Sequence, residues 1–78
     1  MRILVVEDHD KVAQFVVKGL KEERYAVDRA ATGPEGLSMA RLNDYDVIIL
    51  DVMLPGMNGF DVAAALSEKG IEAPILML

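Results

Sequence analysis

The sequence has no cysteine, no tryptophan and a single histidine in 78 residues. Without cysteine there can be neither a disulfide framework nor a thiolate metal site, and His9 alone cannot build a zinc cluster. Long hydrophobic runs are missing as well. Met1-Arg2 leads into only Ile3-Leu4-Val5-Val6 before Glu7 and Asp8. A secretory signal needs about 7 to 15 apolar residues and a membrane-spanning helix needs about 20, so a cytoplasmic address is expected. Positive charge is scarce: thirteen acidic residues against eight basic ones leave a net charge of −5, the wrong sign for a broad nucleic-acid or anionic-membrane surface.

What is present is enough to build a core. Hydrophobic residues make up 53% of the chain and charged residues 27%, a balance that argues against disorder. The length falls below the roughly 100 to 150 residues of a common domain, so residues 1–78 read as one small domain or part of one, with no second domain.

Ile3–Val6, Val47–Leu50 and Ile75–Leu78 are short continuous apolar runs. Too short for helices, they read as strands buried on both faces, as in a parallel sheet. Tyr25–Ala30 is more polar and suits an edge strand. Between the strands lie three helical patterns. Asp10 is the expected N-cap of the first, whose apolar face reads Val12, Phe15, Val16, Gly19 and Leu20. Thr32-Gly33-Pro34-Glu35 opens the second, which runs to about Leu42 with Asn43 as its stop. Asn58 caps the third, with Phe60, Ala63, Ala64 and Leu66 toward the sheet and Lys69-Gly70 at its end. The order β-α-β-α-β-α-β predicts an α/β fold with helices on both faces of a parallel sheet.

In such sheets ligands bind beyond the carboxyl ends of the strands, where strand order reverses. Glu7 and Asp8 follow the first strand and Asp51 follows the third. In the flavodoxin-like order 2-1-3-4 these strands are neighbours, so the three carboxylates converge. Such a cluster needs a cation to ionise at low cost, and a sparse all-oxygen set suits Mg²⁺ better than Zn²⁺.

Glu7-Asp8 after an apolar strand, followed by Val47-Ile-Ile-Leu-Asp51-Val-Met-Leu-Pro55-Gly-Met-Asn-Gly59, resembles the receiver domain of bacterial two-component response regulators. The wording is closest to the OmpR/PhoB type, and the resemblance covers the whole chain. It implies a CheY-like doubly wound fold in which Asp51 accepts a phosphoryl group from a sensor histidine kinase. Glu7, Asp8 and Asp51 would hold Mg²⁺, with the Met53 backbone carbonyl as a further ligand.

It also implies a hydroxyl residue after strand four and a lysine after a fifth strand, both expected beyond Leu78, so the chain reads as a receiver truncated at its C-terminus. The parent protein would be a transcriptional regulator touching DNA only through a separate effector domain. Such a domain is not an enzyme in the ordinary sense, with at most weak self-dephosphorylation. Self-association of the truncated chain is expected, and the alternative function is an interaction or dimerisation module without phosphotransfer. An aspartate-nucleophile phosphatase is disfavoured, because Asp51-Val52-Met53 lacks a second acid two residues on. His9, Asp44 and Asp46 are read as solvated charges outside the site, and Arg29 as part of an ordinary polar face.

Overall fold

The apolar runs become strands and the amphipathic stretches become helices in the computed structural model, which describes residues 1–78. The elements are β1 (Arg2–Val6), α1 (Asp10–Glu22), β2 (Ala26–Ala30), α2 (Gly33–Leu42), β3 (Val47–Leu50), α3 (Gly59–Glu68) and β4 (Ile75–Met77). All neighbouring strands are parallel and the order is β2-β1-β3-β4, the expected flavodoxin-like arrangement.

Alternate residues of the central strands point to opposite faces, as the period of two requires. Leu4, Val6, Ile48 and Leu50 enter a core with Val62 and Leu66 of α3 and Ala40 of α2. Ile3, Val5 and Ile49 turn the other way, against Val16, Val17 and Leu20 of α1. β1 and β3 are therefore buried on both faces, as their continuous apolar runs indicated. β4 is not: Ile75 and Met77 are half-buried, and Leu76 is 56% exposed, because β4 is an edge strand of this sheet.

Two helix faces differ from expectation. In α1 the stripe toward the sheet is Ala13, Val16, Val17 and Leu20, spaced 3, 4 and 7 residues from the first. Phe15 is 82% exposed and Val12 is exposed too, since a helix lying over β1 and β2 cannot bury both stripes. In α3 the buried positions are Gly59, Val62 and Leu66, while Phe60 and Ala64 are exposed; Asn58 fixes the start of α3, and the phase that follows puts Val62 inward.

The caps explain where the helices begin. Asn58 Oδ1 accepts from the Asp61 amide at 2.9 Å and Asp61 Oδ2 accepts from the Asn58 amide at 3.3 Å, a reciprocal capping box. Thr32 Oγ1 accepts from the Glu35 amide at 3.2 Å. The N-cap of α1 is His9 rather than Asp10. α3 ends at Glu68 with Lys69 as its C-cap, and the expected glycine follows: Gly70 has a φ of +73°, left-handed backbone that glycine adopts without a Cβ clash.

At the amino end of the sheet, Tyr45 Oη donates to Asp28 Oδ2 at 2.7 Å and Arg2 Nη2 donates to the same oxygen at 3.0 Å. The Tyr45 hydroxyl, and then Arg2, hold the Asp28 carboxyl below its usual range against the opposing effect of burial. Burial, then the facing Asp28, pushes Tyr45 up to about 12. This cluster ties the loop before β3 to β1 and β2. Asp46 serves the same end, accepting from the Arg2 amide at 2.7 Å.

Candidate metal centre at the carboxyl end of the sheet

Register brings the acids together. Val6 pairs with Leu50 across β1 and β3, so Glu7 and Asp51 leave the sheet level with each other, and the Asp51 amide donates to the Val6 carbonyl at 3.0 Å. The following loop returns closely. A Cβ on Gly59 would lie 2.5 Å from the Asp51 carbonyl oxygen and 2.8 Å from Val52 Cα, so the start of α3 can pack on the strand end only because residue 59 has no side chain.

One ligand atom from each of Glu7, Asp8, His9 and Asp51 lies within 4.8 Å of the others. The structure thus brings together all three side chains that the sequence nominated, and adds His9. Asp44 and Asp46 fall at the opposite end, as expected. Met53 contributes a different contact here: its amide donates to Asp51 Oδ1 at 3.1 Å, which fixes the rotation of that carboxylate. Its side chain is exposed.

The electrostatics favour a cation. Glu7 is only 5% exposed; burial, then the hydrogen-bonding Asp51 and Asp8 carboxyls, raises its pKa above the ordinary carboxylate range, against the lowering effect of the His9 amide. Asp8 Oδ1 is a buried oxygen that receives no hydrogen bond. An orphaned oxygen beside two further carboxylates fits a hard dication that takes oxygen ligands.

Arg29 belongs to this end too, contrary to its reading as part of a solvated face. Its Nε and Nη2 donate to the Glu7 carbonyl at 3.0 and 2.7 Å, and Nη2 lies 3.0 Å from Asp10 Oδ1. It therefore braces the loop that carries Glu7 and Asp8. No spacing rule reveals it; only the pairing of β1 with β2, which sets Arg29 opposite Val5, brings it there.

Residues 3–78 match the response regulator receiver domain. The chain is 47% identical over 77 residues to the transcriptional regulatory protein PcoR of Escherichia coli, covering 99% of this chain and 34% of that protein. It is 44% identical over 78 residues to the transcriptional regulatory protein TcrA of Mycobacterium tuberculosis, covering 100% and 31%. Among solved structures, chemotaxis protein CheY4 of Vibrio cholerae superposes with a TM-score of 0.93 at 37% identity, covering 97% of this chain and 65% of that one. Response regulator protein TrrA of Thermotoga maritima, solved in complex with Mg²⁺-BeF, gives 0.92 at 37% identity, covering 97% and 66%. The chain spans about a third of the length of these curated relatives.

Proposed function

Given that the chain belongs to the response regulator receiver domain family, we propose that Asp51 accepts a phosphoryl group from the phosphohistidine of a sensor histidine kinase. Glu7, Asp8 and Asp51, with the Met53 backbone carbonyl, would hold the accompanying Mg²⁺. The observation that carries this reading is the convergence of the three carboxylates at the reversal between β1 and β3.

Asp51 is the acid best suited to attack. It is half-buried rather than enclosed, and the Met53 amide engages Oδ1, so Oδ2 remains for bonding to phosphorus. In the transfer the Asp51 O–P bond forms as the N–P bond of phosphohistidine breaks, and the electron pair returns to the imidazole nitrogen. A bound Mg²⁺ would offset the negative charge that otherwise repels phosphate from three carboxylates. Arg29 keeps the Glu7-Asp8 loop in place throughout.

The relatives are transcriptional regulatory proteins, so the parent function we propose is transcription control, with DNA bound by an effector domain distinct from these acidic residues. No helix is long and apolar enough to cross a membrane; the family membership is what supports a cytoplasmic site of action. The aspartate is consumed and regenerated rather than turning over a separate substrate, and self-dephosphorylation would be weak at most.

A Mg²⁺ titration followed by amide NMR shifts tests the site in this chain. Shifts are expected at Glu7, Asp8 and Met53, and Asp51→Asn weakens the affinity by about ten-fold or more, as loss of a charged ligand should. Shifts centred on Asp44 and Asp46 would place the ion at the wrong end of the sheet.

The exposed edge favours a second reading, as an interaction module. Leu76 and Leu78 are both more than half exposed, and β4 pairs only with β3; such an edge recruits another strand. Within the sheet the apolar exposure lies at this edge, since Ile3, Val5 and Ile49 are covered by α1. Sedimentation should show the 78-residue chain self-associating, and Leu76→Lys restoring the monomer. A monomer with slowly exchanging amides in Ile75–Leu78 would contradict this.

A further inference from the structure

Arg29 lies outside both motif blocks, yet its side chain supplies the donors to a main-chain group of the metal loop. Glu7 leaves β1 with its amide still in the ladder, donating to the Ala30 carbonyl at 3.0 Å. The ladder stops there. β2 ends at Ala30 and the chain turns toward Thr32, the N-cap of α2, so no backbone N–H reaches the Glu7 carbonyl. Arg29 fills the gap, with Nε at 3.0 Å and Nη2 at 2.7 Å from that oxygen. Two consecutive residues of β2 therefore hold both polar groups of the Glu7 backbone, Ala30 through its carbonyl and Arg29 through its side chain. The guanidinium is itself held, because Nη2 also lies 3.0 Å from Asp10 Oδ1 in the first turn of α1.

We propose that Arg29 is a positioning residue for the Mg²⁺ centre: its paired N–H groups on the Glu7 carbonyl preset the Glu7-Asp8 turn before the ion arrives, and so raise Mg²⁺ affinity without touching a ligand atom. The inference rests on the reading of Glu7 and Asp8 as metal ligands. Without Arg29 the carbonyl has no donor but water, and the turn gains freedom that ion binding must then remove. Hydrogen bonds from a cation are stronger than neutral ones, so the two bonds to the carbonyl do most of the holding. The pair with Asp10 contributes little by itself, since Asp10 is exposed; it orients the guanidinium. Charge acts in the opposite direction. A cation beside the acids repels an incoming dication, so if charge were the main effect of Arg29, removing it would tighten binding. The sign of the change therefore separates positioning from electrostatics.

The test is a Mg²⁺ titration of this chain by amide NMR shifts for wild type, Arg29→Leu and Arg29→Lys, paired with amide hydrogen exchange of each chain without metal. Arg29 belongs to neither apolar cluster, so both variants should keep the fold. Arg29→Leu should bind Mg²⁺ about ten-fold more weakly, the lower end of what outer-shell partners contribute. Arg29→Lys keeps the charge but not the two N–H groups in fixed geometry, and should bind about three-fold more weakly or worse. In metal-free Arg29→Leu the Glu7 and His9 amides should exchange faster, while the Ile48 amide, bonded to the Pro74 carbonyl within the sheet, exchanges as in wild type. Unchanged or tighter Mg²⁺ binding in Arg29→Leu overturns the proposal, as does full affinity in Arg29→Lys, or faster exchange spread over the whole sheet. Absence of Mg²⁺ shifts at Glu7 and Asp8 in wild type is a different failure: it removes the metal-site reading, and this proposal with it.

Discussion

In a receiver that carries these residues and continues past Leu78, Asp51→Ala should abolish labelling by acetyl phosphate and Mg²⁺, whereas wild type gains one phosphoryl group by intact mass. The effect is large because the substitution removes the bond-forming oxygen and one ligand of the ion together. Neighbouring acids should not take over. Burial and the facing carboxyls raise the Glu7 pKa and so weaken it as an anion, and Asp8 presents a buried oxygen better placed for a metal than for incoming phosphorus. The fold should survive, since Asp51 is half-buried and its backbone amide, which bonds the Val6 carbonyl, is retained. Labelling of Asp51→Ala at the wild-type level would refute the acceptor role.

A comparable loss, in stability rather than chemistry, is expected for Leu50→Ala. Leu50 is fully buried between β1 and α3 in the larger core cluster, directly before Asp51. Removing such a leucine costs about 2 to 5 kcal/mol through lost transfer energy and the cavity left behind. Domains are stable by about 5 to 15 kcal/mol, and a 78-residue chain belongs toward the lower end. The urea midpoint should therefore fall steeply, to the point of losing a cooperative transition. Phe15→Ala, at a larger but exposed side chain, should shift stability by no more than about 0.5 kcal/mol. Equal effects at the two positions would contradict the assignment of the core.

That contrast shows what the sequence made legible. Runs such as Val47–Leu50 declare central strands because few other elements bury four consecutive apolar residues, and Asn58 declares a helix start because its side chain can take an orphan amide. The positions of Glu7 and Asp51 at strand ends followed from those assignments, and the strand order then made them neighbours. Helix rotation was harder to read. In α1, Val12-Phe15-Gly19 and Ala13-Val16-Leu20 are both helical stripes, and small Ala13 won because close approach to the sheet favours it. Arg29 was hidden for another reason: its bonds go to a backbone carbonyl of the β1–α1 loop, and such a contact leaves no spacing pattern. Tyr45 is similar, since its bond to Asp28 bridges 17 residues of sequence.

Locating the phosphoryl group on the labelled protein tests the assignment of Asp51 as acceptor. After labelling with acetyl phosphate and Mg²⁺, the acyl phosphate can be reduced with borohydride and the digested chain sequenced by tandem mass spectrometry. The modified residue should be Asp51, in the peptide that contains Val52 and Met53. Modification at Glu7, Asp8 or Asp61, with Asp51 intact, would contradict it.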